Sequence, residues 1–153
     1  MSYALFAHFF TGNKNFTAVR NISRALTQNN IAVMRFDFTG LGKSEGKFED
    51  TNFTSNVDDL ISVAEFLTKN HHAPKIMIGH SLSGAAAIYA ANAIDSIETV
   101  ATIAAPSNPS HVEHLFDEHI DEIELDGEAI FDIAGRKFTI KKQFLEDIHD
   151  QDL

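Results

Sequence analysis

The stretch from Lys75 to Ala91, KIMIGHSLSGAAAIYAA, decides how the rest of the chain is read. Lys75 to Gly79 reads as a buried strand. His80-Ser81-Leu82 reads as a tight turn. From Leu82 to about Ala93 the sequence reads as a small-residue helix. A serine on such a turn points its hydroxyl away from the sheet, at the N-terminus of the helix that follows, which is how a nucleophile elbow presents an attacking oxygen. The turn is tight and strained, so its flanks must be small. Gly79 meets that need. Two positions after the serine, where the motif Gly-x-Ser-x-Gly has its second glycine, stands Ser83, with Gly84 next. The plain alternative is a strand, turn and helix with an incidental serine.

Around this unit the same alternation repeats. Tyr3 to Phe9 is a continuous apolar run, as in a strand buried on both faces. A helix is expected from about Phe16 to Asn29, with Val19, Ile22, Ala25 and Leu26 at helical spacing. Ile31 to Phe38 is a second strand. Its helix is expected from Ser55 to Asn70, with Ser55 as the cap and Asp58 and Asp59 in the first turn. Between them, Thr39 to Thr54 is a polar loop long enough to suggest function. Val100 to Ala104 is a fourth strand. Four strand–helix units argue for a mainly parallel sheet covered on both faces, a three-layer α/β sandwich.

After Pro106 the pattern changes. Ser110 to Phe116 and Lys141 to Ile148 read as short helices, and Ile130–Ile133 with Lys137–Ile140 as a hairpin around Gly135-Arg136. The chain therefore divides into a core, 1–106, and an acidic cap or lid segment, 107–153.

Composition narrows the function. The 153 residues suffice for one core. No cysteine is present, so disulfides, thiolate metal sites and a cysteine nucleophile are excluded. The net charge of −10 is uneven: 8 Lys/Arg stand against 9 Asp/Glu up to Ser110, and 4 against 13 from His111. Such a surface repels phosphate backbones, so nucleic acid is not an expected partner. No apolar run reaches the roughly 20 residues of a membrane span, so no membrane partner is expected. With no leader pattern after Met1, the protein is expected to be cytoplasmic.

The elbow, Ala7-His8-Phe9-Phe10 after the first strand, and Asp37-Phe38-Thr39-Gly40-Leu41-Gly42-Lys43-Ser44 after the second together resemble the α/β-hydrolase superfamily. More specifically, Phe36 to Gly42, Asp50 to Phe53, Ser55 to Leu60, Gly79 to Leu82, Gly135 to Phe138 and Lys142 to Leu145 resemble the hydrolase half of bacterial α/β-hydrolase/OsmC-like fusion proteins. The resemblance implies Ser81 as nucleophile and an oxyanion hole made by the backbone N–H groups of Leu82 and Phe10. The superfamily's loop usually reads His-Gly-aromatic; here it is His8-Phe9-Phe10, without the glycine. The resemblance also implies the sheet order second, first, third, fourth strand, an acyl substrate of small-molecule size, no cofactor, and an OsmC-like peroxide-reducing domain as a partner in relatives.

A serine hydrolase needs a base for the serine proton and an acid to orient that base. The superfamily's acid and histidine follow later strands, and nothing after Ala105 resembles those strands. The chain is thus expected to be a fragment, a naturally truncated product, or one part of a site that another chain completes. His8, Asp37 and His80 flank the site; each is expected to hold loops rather than to act as the base, with Asp37 bonding loop N–H groups. His111, His114 and His119 are the local substitutes for a base. His111-x-x-His114 lacks a third convergent ligand, so no metal site is expected. Gly42-Lys43-Ser44 lacks the first glycine of a phosphate loop, and Gly40-x-Gly42 opens no helix. Two functions follow: hydrolysis of an ester-like or amide-like acyl bond at Ser81, or a non-catalytic binding domain derived from such an enzyme. The apolar edge Val100–Ala104 is expected to pair with a second copy, as a homodimer, or to be covered by the tail.

Overall fold

The computed structural model describes residues 1–151. Four strands, β1 (Ser2–Ala7), β2 (Ile31–Arg35), β3 (Ile76–His80) and β4 (Thr99–Ile103), form one sheet in the order β2-β1-β3-β4. All three pairings are parallel. The fold is a three-layer α/β sandwich of the α/β-hydrolase type, in the expected strand order.

The helices α1 (Thr17–Gln28), α2 (Phe53–Asn70) and α3 (Leu82–Ala91) cover the two faces. On one face α1 lays Val19 on Phe6 and Ile78, with Ile22 and Leu26 at the rim. On the other, Leu60, Ala64 and Leu67 of α2 and the alanines of α3 close over Leu5, Ala7 and Met77. Strand side chains alternate between faces, which is why Leu5 and Phe6 belong to different clusters. The connection to β2 leaves β1 toward one side and the connection to β4 leaves β3 toward the other. A crevice opens at such a switch point, beyond the C-terminal strand ends.

The boundaries differ from the sequence reading for local reasons. β2 ends at Arg35, three residues early, because the Phe38 N–H turns to the His8 ring instead of a neighbouring strand. The cap of α2 is Asn52, whose side chain accepts the Ser55 N–H while the Ser55 hydroxyl accepts the Asn52 N–H. Ser55 is therefore the reciprocal third residue of a capping box and not the cap itself. β4 stops at Ile103, since Ala104 has a left-handed backbone (φ 50°).

The tail holds a 3₁₀ segment, Pro109–Leu115, then α4 (Ile120–Asp126), the hairpin β5 (Glu128–Ile133) with β6 (Arg136–Lys141), and α5 (Lys142–His149). The sequence reading lacked α4. The hairpin turn is Ala134-Gly135, both at positive φ, and Arg136 already opens β6. Phe116, Ile123, Phe131, Phe144, Leu145 and Ile148 belong to the same buried cluster as Leu5 and Met77. β4 stands at the end of its sheet with Val100 exposed, and the described tail residues form a separate two-stranded sheet instead of covering that edge. No described helix is long and apolar enough to cross a membrane.

Candidate active site

Ser81 joins β3 to α3 with φ 60° and ψ −133°, a backbone conformation that costs a non-glycine residue on the order of 1–3 kcal/mol. Neighbours hold it there. Its N–H donates to the Ile103 carbonyl at 2.9 Å, and its own carbonyl accepts the Gly84 N–H at 2.8 Å. The turn leaves no room beside it. A Cβ on Gly79 would lie 2.3 Å from the Ser83 carbonyl oxygen, and one on Gly84 would lie 2.5 Å from the Ala105 Cβ. Gly84 thus provides the close approach to β4 that the short motif assigns to the position of Ser83, which is itself buried. Ala85, Ala86, Ala87 and Ala90 are all fully buried, so α3 lies tight on the sheet.

The loop after β1 faces this turn, since Ala7 pairs with Gly79. It folds back at once: the Gly12 N–H donates to the Phe9 carbonyl at 2.8 Å, and Thr11 takes φ 64°. Phe10 sends its ring into the core, against Phe48 and Phe144. Among the described residues neither the Phe10 N–H nor the Leu82 N–H meets a hydrogen-bond acceptor. Leu82 opens α3, where first-turn N–H groups are free for an outside acceptor. Two such donors at a crevice can hold an oxygen that gains negative charge.

The flanking residues have their own tasks. His8 is buried; its Nε2 accepts the Phe38 N–H at 3.1 Å, so Nδ1 carries the proton and donates to the Phe9 carbonyl at 2.9 Å. Both ring nitrogens are spent on joining the loops after β1 and β2. Burial pulls its pKa below the ordinary histidine value. Asp37 is buried too. Burial raises its pKa, but the N–H groups of Lys14 and Lys43 and the Lys14 ammonium outweigh that, leaving the carboxyl below its usual range. A Cβ on Gly42 would sit 2.3 Å from its carboxyl carbon, so the glycine loop wraps the carboxylate directly. His80 packs edge-on against Phe9 at 5.4 Å, and burial lowers its pKa.

Ser81 and Leu82 line a pocket of about 310 Å³ with Ala104, Pro106, His111 and His114. Two of the three candidate bases, His111 and His114, therefore share a pocket with the serine. His114 is oriented by a hydrogen bond between its Nδ1 and the His111 carbonyl. His119 lies apart, stacked on Phe131 and paired with Glu122. Glu113 turns away from His111 and His114 to pair with His149. Arg136 escaped the sequence reading: from the start of β6 it donates to the Thr11 carbonyl at 2.8 Å and fixes the loop that carries Phe10. No sequence motif marks it; only the docking of the hairpin brings it there.

Residues 12–116 match the family model described as serine aminopeptidase, S33 (Hydrolase_4). Over 89 residues the chain is 29% identical to the mitochondrial palmitoyl-protein thioesterase ABHD10 of Bos taurus, a match that covers 58% of this chain and 28% of that protein. Among solved structures, the esterase domain of a Rhodothermus marinus protein is 46% identical with a TM-score of 0.66, over 96% of this chain and 56% of its own. Mouse alpha/beta hydrolase domain-containing protein 10 is 24% identical with a TM-score of 0.76, over 96% of this chain and 60% of its own, and that likeness is one of fold alone. The chain thus spans less than two thirds of the length of each of these relatives.

Proposed function

Since the chain belongs to the serine aminopeptidase S33 family of α/β-hydrolases, we propose that it hydrolyses an ester-like or amide-like acyl bond through an acyl-enzyme at Ser81. The observation that carries this reading is the left-handed backbone of Ser81 at the mouth of a pocket, directly before a helix N-terminus. The Ser81 Oγ attacks the carbonyl carbon. The N–H groups of Leu82 and Phe10 hold the oxyanion; losing one such donor costs about 3 kcal/mol of barrier. The tetrahedral species then collapses, the leaving group departs with a proton, and water releases the acid. His111 and His114 are the imidazoles that line this pocket, and on this reading one of them takes the serine proton. The esterase and thioesterase names of the relatives favour an oxygen or sulfur ester over an amide.

A second reading has its own support. His8 and Asp37 are both committed to loops, so neither is free to form a charge relay, and a domain that binds acyl ligands without turning them over fits that arrangement. The two readings separate on treatment with a fluorophosphonate, followed by mass spectrometry of the chain and its Ser81→Ala variant. Stoichiometric labelling at Ser81, absent in the variant, is the expected result. A folded sample that takes up no label would favour the binding domain, or a chain whose base and acid lie outside these residues.

A further inference from the structure

We propose that the hollow between α1 and the edge strand β2 binds a phosphate-type oxyanion, gripped by Arg20, Arg24 and Arg35. The hollow has a volume of about 460 Å³, within the range of small-ligand sites. The chain has four arginines, and three of them line it. None of the three has a carboxylate partner among the described residues. The molecule carries 22 Asp and Glu residues and a net charge of −10, yet no carboxylate lines the hollow.

That arrangement opposes stability unless something offsets it. Arg20 and Arg24 are four residues apart on α1, a spacing at which like charges face each other and repel. Arg35 approaches from β2 with one nitrogen fixed, its Nη1 donating to the Lys14 carbonyl at 3.2 Å. The remaining N–H groups of its fork stay available. Between the two helix arginines lies Ser23, which lines the same hollow, is 7% exposed and has a hydroxyl without a hydrogen-bond partner. A buried hydroxyl left unpaired costs about 1–3 kcal/mol. A bound oxyanion offsets the repulsion and gives these donors an acceptor. Three guanidiniums suit a phosphate dianion, whose several oxygens accept fork-like pairs of bonds, better than a singly charged carboxylate. The site is independent of Ser81 and of the hydrolase reading.

The test is titration calorimetry of the whole chain with pyrophosphate, repeated by co-sedimentation on phosphatidylcholine vesicles with and without phosphatidic acid. Arg20→Gln and Arg24→Gln lie on an exposed helix face and are expected to fold, which circular dichroism checks. Each should weaken binding about tenfold, the loss of one charge-assisted hydrogen bond. Arg24→Lys should weaken it less, and Lys75→Gln, remote from the hollow in sequence and fold, should not. The same pattern on phosphatidic acid alone, without a response to pyrophosphate, would assign the phosphate to a lipid headgroup. Absence of binding to both probes, or affinities that all variants share, overturns the site.

Discussion

Two glycines, one in the elbow and one in the tail hairpin, are needed for opposite reasons. Gly79 sits where α3 meets β3, and an added methyl would run into backbone at 2.3 Å. Gly135 sits at the hairpin tip at φ 81°, and nothing lies within 4 Å of where its Cβ would be. The first is a demand for space and the second a demand for backbone freedom. The elbow spends its small residues on bringing a helix close to the sheet, so its geometry depends on neighbours that cannot yield. The hairpin depends on its own two turn residues, and its exposed tip can adjust.

The sharpest way to break this contrast is Gly79→Ala. The clash is with backbone, so the substitution should destabilise at the top of the roughly 1–3 kcal/mol range for overpacking. It should also reduce fluorophosphonate labelling of whatever folds, because Ser83 and Gly84 must shift. Urea unfolding that matches the parent chain would refute the claim of zero free space. Gly135→Ala should cost only about 1 kcal/mol, the penalty of a left-handed alanine, with labelling of Ser81 unchanged. A loss as large as that at Gly79 would show that the hairpin tip is constrained by more than its torsion angle.

The smallest effect in any single step is a pH dependence, and it too divides the two regions. His8, behind the elbow, is held neutral by burial, with its pKa below the ordinary value. As pH falls through about 6.5 the unfolded chain gains a proton that the folded chain resists, so this contribution is full above that pH and declines with acid. The Lys141–Asp50 pair beside the hairpin is exposed to water, and such pairs contribute little. Melting temperatures measured between pH ~8 and ~5 should fall toward acid, and His8→Asn should flatten the slope while Lys141→Gln leaves it alone. An unchanged slope in His8→Asn would remove His8 as the cause.

How far the sequence could be read follows from the same distinction. The four strands, the turn at Ser81 and four of the five helices were legible because apolar periodicity and small-residue runs are local signals, whereas the sheet order came only from the family resemblance. α4 was not, since seven mostly acidic residues with one buried side chain, Ile123, carry almost no periodicity. The cap of α2 was misplaced because Asn52 and Ser55 both have cap chemistry and only their mutual hydrogen bonds tell them apart. Local reading suggested loop-holding roles for His8 and Asp37, and their hydrogen bonds fit those roles. It could not place Arg136 on the Thr11 carbonyl, 125 residues away in sequence, because the docking of a hairpin onto a loop leaves no trace in spacing.

The order of the strands also matters while the chain is being made. β1 is synthesised first and ends up between β2 and β3, with Ala4 opposite Ile76. The ribosome must add more than 70 residues after Ala4 before that second neighbour exists, which takes roughly 4–14 s at ordinary elongation rates. Throughout that interval Leu5 and Phe6, both buried in the finished protein, belong to a strand with one side unpaired. The nascent chain therefore carries an apolar strand with an open edge until β3 exists, and slower translation between β2 and β3 would prolong that exposure.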